Sequence, residues 1–120
     1  MTRPVEGRHV LLVEDEILIS MEVEDLLMEF GASEVTVCGT YETAAEAVET
    51  TTARLGIFDM DLRGRQATPL VARFMERGGR AVVASGNADD PRYAALDVVL
   101  LAKPFDEERM ARALAQAVRR

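Results

Sequence analysis

Five short runs with strand character, each followed by a segment with helical spacing, constrain this chain more than any other feature. The runs are residues 9–13, 34–38, 55–58, 81–84 and 98–102. Short, mainly apolar runs of this kind are what strands look like when both of their faces are covered. Between the runs, apolar residues recur every three or four positions, as in a helix with one buried side. Residues 16–30 place Ile19, Val23, Leu26, Leu27 and Phe30 on one side and stop at Gly31. Residues 41–52 turn Ala44, Ala47 and Val48 inward. Pro69 suits the first turn of a third helix, whose Leu70, Val71 and Phe74 face the sheet before Gly78 and Gly79 end it. Asp106 reads as the N-cap of the last helix, with Glu107 and Glu108 in its first turn. Met110, Ala113, Leu114, Ala117 and Val118 form its apolar stripe, and Arg119 and Arg120 suit the negative end of its dipole.

Strands alternating with helices predict a doubly wound α/β fold: a five-stranded parallel sheet, right-handed crossovers and helices on both faces. The segment 86–97 contains Pro91 and leaves room only for a stub of helix over about 92–96, so the fourth helix is expected to be short. With 120 residues, 48 % of them apolar, the chain suits a single domain over 1–120 with a core over about 8–118. A net charge of −7 argues against nucleic acid, whose backbone calls for basic patches. Cys38 is the only cysteine and is expected to be a buried small hydrophobe; a chain without disulfides fits a reducing cytosol. Residues 1–8 lack the apolar stretch of a signal peptide, and no run approaches the roughly 20 apolar residues that span a bilayer. The expectation is a cytoplasmic protein without membrane contact.

In such sheets, ligands bind at the carboxyl ends of the strands, near the point where strand order reverses. Asp15, Asp59, Ser85 and Lys103 fall at or just past four different strand ends, so residues almost ninety positions apart are expected on one rim. Glu14 and Asp15 follow the first strand, Asp59 and Asp61 the third. Gathered carboxylates repel one another and need a cation; hard oxygen donors, with water completing the shell, suit Mg²⁺ or Mn²⁺. Ser85 can donate a hydrogen bond to a phosphoryl oxygen. Lys103, the only lysine beside thirteen arginines, offers a compact point charge rather than a planar fork. Asp59 can act as a nucleophile and form an acyl phosphate. Phosphoryl transfer asks mainly for positioning and charge neutralisation, and this set supplies both. His9 starts a strand and is expected at the opposite end from this rim.

The segments LLVEDE, FDMDLRG, VVASG and LAKPF, in this order, resemble the receiver domain of two-component response regulators over about 9–118. The resemblance implies a flavodoxin-like sheet of order 2-1-3-4-5. It implies that Asp59 takes a phosphoryl group from a phosphohistidine on a histidine kinase or phosphotransfer protein. Asp15 would be the principal acidic Mg²⁺ ligand, with Glu14 its acidic neighbour, and the backbone carbonyl of Asp61 would complete the protein ligands. Ser85 would move toward the phosphoryl group and Lys103 would bind it, with the Lys103–Pro104 bond often cis. Three departures from the family pattern stand out. Leu100 replaces the switch aromatic three residues before the lysine. The segment between Ser85 and Lys103 is shortened. Arg63 stands where proline is common, and Asp61 adds a carboxylate two residues from the acceptor.

Each of these residues also has a plainer reading. Glu14 and Asp15 could be helix N-terminal acids, Asp59 a turn residue, and Ser85 beside Gly86 turn chemistry; the convergence of all four strand ends favours a site. Tyr93 is expected to pack half-exposed, with a second reading as a substitute for the missing aromatic. The six methionines are expected to fill gaps in the core. The expected function is a phosphoacceptor receiver acting by protein contact, since no residues remain for an output domain. Its only catalysis would be Mg²⁺-dependent self-phosphorylation and autodephosphorylation, and its conformational shift would control a downstream target. It would be a monomer or weak homodimer. One alternative is the C-terminal receiver of a hybrid histidine kinase. Another is a phosphatase of the haloacid-dehalogenase type built on Asp59-Met60-Asp61, although Asp89 and Asp90 precede Lys103 where that type places its distal acids after the lysine. A flavin-binding fold of this layout would need a hydroxyl-rich loop after the first strand, which the sequence lacks.

Overall fold

A computed structural model describes residues 3–86, 91–93 and 95–119. Asp89, Asp90, Ala94 of the expected helical stub, Arg120 and the first two residues lie outside the described residues. Five strands, β1 (His9–Val13), β2 (Glu34–Cys38), β3 (Leu55–Asp59), β4 (Arg80–Ser85) and β5 (Val99–Ala102), form one parallel sheet in the order β2-β1-β3-β4-β5. Four helices connect and follow them: α1 (Ile17–Glu29), α2 (Tyr41–Thr50), α3 (Thr68–Glu76) and α4 (Glu107–Arg119). The order reverses between β1 and β3, which is where the sequence places its acids.

The core has two sides because side chains alternate along each strand. On β1, Val10 and Leu12 join Val23 and Leu27 of α1 and Met110 and Leu114 of α4. Leu11 and Val13 join Ala44 and Val48 of α2 and Leu70, Val71 and Phe74 of α3. Phe58 and Phe74 meet edge to face, with ring centroids 5.4 Å apart. Each fully buried large side chain contributes roughly 1.5–3 kcal/mol, so this double burial holds the central strands in place.

Helix starts follow local chemistry. Thr40 and Thr43 cap α2 reciprocally: Thr40 Oγ1 accepts the Thr43 N–H at 3.0 Å, and Thr43 Oγ1 accepts the Thr40 N–H at 3.2 Å. Asp106 Oδ1 accepts the Arg109 N–H at 2.8 Å, confirming it as the cap of α4. α1 has no side-chain cap from Glu16; Glu14 Oε2 accepts the Glu16 N–H instead, at 3.1 Å.

Three expectations need correction. α2 ends at Thr50 rather than at residue 52, because Thr51 is already extended. The expected stub is seen in part: Pro91–Tyr93 form a 3-10 turn, and the Leu96 N–H donates to the Tyr93 carbonyl at 3.0 Å. Tyr93 is not half-exposed but 2 % exposed, because this tight turn seats its ring in the core beside the α3 side of the sheet. The methionines are not all core. Met110 is buried, but Met21 and Met28 are 55 % and 50 % exposed, alongside exposed Ile17 and Leu18. At 100° per residue, positions 17, 21 and 28 fall together on the side of α1 away from Val23 and Leu27. Among the described residues, no helix is long and apolar enough to cross a membrane.

Candidate functional site

Strand register builds the site. Phe58 of β3 pairs with Val13 of β1, Asp59 pairs with Ala84 of β4, and Ser85 pairs with Ala102 of β5. The residues that follow Val13 and Ala102 are Glu14 and Lys103, so the ladder itself aligns them with Asp59. Two bonds extend it: Met60 N–H donates to the Ala84 carbonyl at 3.0 Å, and Lys103 N–H to the Ser85 carbonyl at 2.8 Å. The peptide between Lys103 and Pro104 is cis.

Glu14, Asp15 and Asp59 each present one carboxylate oxygen, all within 4.8 Å of one another. Lys103 Nζ donates to Asp59 Oδ1 at 2.9 Å, and the Asp61 N–H donates to the same oxygen at 3.3 Å. Two carboxylate charges 4.8 Å apart repel by about 3 kcal/mol at an effective dielectric of about 20. Glu14 registers the crowding: its carboxyl is pushed up to about 7 from 4.5, first by burial and then by the charge of Asp59. The Glu16 N–H and the Lys103 ammonium pull the other way without prevailing. Arg63 Nε lies 3.8 Å from Asp15 Oδ2.

The structure thus brings Glu14, Asp15, Asp59 and Lys103 together. Ser85 sits at the end of β4, 1 % exposed, with its hydroxyl donating to Met60 Sδ at 3.3 Å. Arg92 also contacts that sulfur. Nothing in the sequence marked Met60 beyond its place next to Asp59. The Asp61 carboxylate is exposed and outside the three-acid group, which leaves its backbone as the part near the site. His9 lies at the far end of β1, between Thr36 Oγ1 at 2.7 Å and Thr52 Oγ1 at 3.0 Å. Cys38 is buried, and burial pushes its thiol up. Leu100 packs partly buried against the cluster that contains Tyr93. Between α1 and α4, an apolar cleft of about 580 Å³ runs from Ile19 and Phe105 to Asp59 and Lys103.

Solved structures share this architecture. SdrG from Sphingomonas melonis Fr1 is 32 % identical over 93 % of this chain and 97 % of its own, with a TM-score of 0.78. The receiver domain of the response regulator PhyR from Erythrobacter litoralis is 26 % identical over 94 % of this chain and 91 % of its own, with a TM-score of 0.80. The chain is a response-regulator receiver domain. The receiver has the same fold as the receiver domain of a sensor histidine kinase from Pseudomonas aeruginosa PAO1, at 21 % identity over 95 % of this chain and 99 % of that one, with a TM-score of 0.80. That structure has a magnesium ion coordinated in its active-site cleft. No protein-family model and no curated protein matches the receiver's sequence.

Proposed function

We propose that this receiver accepts a phosphoryl group on Asp59 from a phosphohistidine of a histidine kinase or phosphotransfer protein. The reaction depends on Mg²⁺ or Mn²⁺, and the resulting shift controls contacts with a downstream protein. The observation that carries the reading is the meeting of Asp59, Lys103 and two further acids at the ends of separate strands. The donor set fits a hard cation: all oxygen and crowded with negative charge, with burial first and then the charge of Asp59 pushing the Glu14 carboxyl up to about 7. Asp15, Asp59 and the Asp61 carbonyl would hold the ion, with Glu14 beside them. Bound there, a divalent cation neutralises charge on the acids and on the phosphoryl oxygens.

The chain's own residues do the rest. An Asp59 carboxylate oxygen attacks phosphorus while the phosphorus–nitrogen bond breaks and its electron pair leaves with the imidazole. Lys103 already donates to Asp59 and transfers that contact to a phosphoryl oxygen as charge builds there. Ser85 turns its hydroxyl from the Met60 sulfur toward another oxygen. A place at the C-terminus of a hybrid kinase would leave this chemistry unchanged. The phosphatase alternative needs a second acid beside the nucleophile, and the exposed Asp61 carboxylate is outside the acid group.

Intact-mass spectrometry after incubation with acetyl phosphate and Mg²⁺ tests the proposal. One phosphoryl group is expected on the wild type, none on Asp59→Asn and none with chelator. A folded wild type that stays unmodified, even with a phosphorylated phosphotransfer protein as donor, would refute it.

A further inference from the structure

The loop that follows the acceptor is a miniature hairpin. Asp61–Leu62 pairs antiparallel with Arg65–Gln66, and Arg63 and Gly64 make the turn. Both turn residues have positive φ, 50° and 84°, the pattern of the tight hairpin turn that matches strand twist. Glycine takes such a conformation freely, whereas Arg63 holds it at a cost that glycine would avoid. Leu62 is buried and anchors the ribbon, and the Ala67 N–H closes its base on the Met60 carbonyl at 2.8 Å. The ribbon therefore holds one cation beside Asp15: Arg63 Nε is 3.8 Å from Asp15 Oδ2. The pair lines a pocket of about 100 Å³ together with Thr40 and Leu62. The ribbon's other arginine lines the same pocket but has other partners: Arg65 pairs with Glu42 and lies over the Tyr41 ring, 3.6 Å from its centre.

We propose that Arg63 is a tethered counter-ion of the acid site, one that pairs with Asp15 in the metal-free receiver and competes with the divalent cation for that carboxylate. The proposal rests on the reading of Asp15 as a metal ligand. A dication arriving at Asp15 meets a positive charge held there by the turn and has to displace it. Exposed ion pairs are weak, so displacement is easy and the effect is one of tuning. Arg63 thereby sets the receiver's metal affinity and gives it a dependence on salt.

The test is direct Mn²⁺ titration, read from the paramagnetic resonance of free ion, on wild type, Arg63→Gly, Arg63→Lys, Arg65→Gln and Asp15→Asn. Glycine suits the turn, so Arg63→Gly keeps the hairpin while removing the charge. It is expected to bind Mn²⁺ about two- to fivefold more tightly at low ionic strength. Near 1 M salt, where screening acts within about 3 Å, the gap closes. Arg63→Lys stays close to wild type, and Arg65→Gln is unchanged. Equal affinity for Arg63→Gly and wild type overturns the proposal, as does an equal gain in Arg65→Gln, which would reflect net charge alone. If the wild type binds no Mn²⁺ at millimolar concentration and Asp15→Asn behaves identically, the reading of the site as a metal centre falls first.

Discussion

Glu14 is buried against Asp59, and its proton is shed only near neutral pH. Its folded value of about 7 lies above the ordinary 4.5. Its contribution to stability is therefore complete below about pH 4.5 and is lost as pH rises through 7. At 1.36 kcal/mol per unit, the loss is on the order of 3 kcal/mol. In urea titrations of metal-free protein, Glu14→Gln is expected to exceed wild type in stability at pH 8 and to match it near pH 4. A constant difference across that range would contradict the account. Lys103 was legible from sequence because a lone lysine in an arginine-using chain is chemically conspicuous. Met60 was not, because a thioether carries no charge pattern and its role beside Ser85 appears only once β3 and β4 are paired. Arg63 stood out as a departure from the family pattern, but its reach to Asp15 depends on a left-handed backbone that no spacing rule announces.

The α3–β4 junction shows how closely its elements are fitted. A Cβ on Gly79 would lie 2.4–2.7 Å from three atoms of the Phe74 ring, and that ring is braced by Phe58. Gly79→Ala is expected to destabilise the receiver by about 1–3 kcal/mol, seen as a lower denaturation midpoint with an unchanged denaturant slope. No loss of stability would mean that Phe74 has room to move. Strands and long helices were readable because burial on both faces, caps and glycine stops each leave a local mark. The burial of Tyr93 was misjudged for a physical reason. In so short a segment, the pull of the core on one tyrosine outweighs helical spacing. The phase of α1 was readable at Val23 and Leu27. The expectation for its methionines went astray because it followed residue type, whereas Met21 and Met28 lie on the outer side.

Across the whole receiver, the convergence of acids and lysine followed from sequence because every site residue ends a strand, and parallel strands end on the same side. Strand order came from family resemblance, since alternating strands and helices fit more than one order. If the site holds a cation, binding acts on the whole fold, because the unfolded chain scatters the ligands. At a Mg²⁺ concentration 100 times the dissociation constant, stability is expected to rise by about 2.7 kcal/mol. Urea unfolding with and without Mg²⁺ would show the gain in wild type and its loss in Asp15→Asn. An identical gain in both proteins would place the ion elsewhere.

The contact between Lys103 and Asp59 spans 44 residues and depends on β5, the last strand to be synthesised. A chain emerging from the ribosome assembles its acids well before it gains its ammonium. Under the proposed function, a copy whose final strand has not docked would be an acceptor without its phosphate clamp. Under that function, readiness to be phosphorylated would also report that β5 has docked.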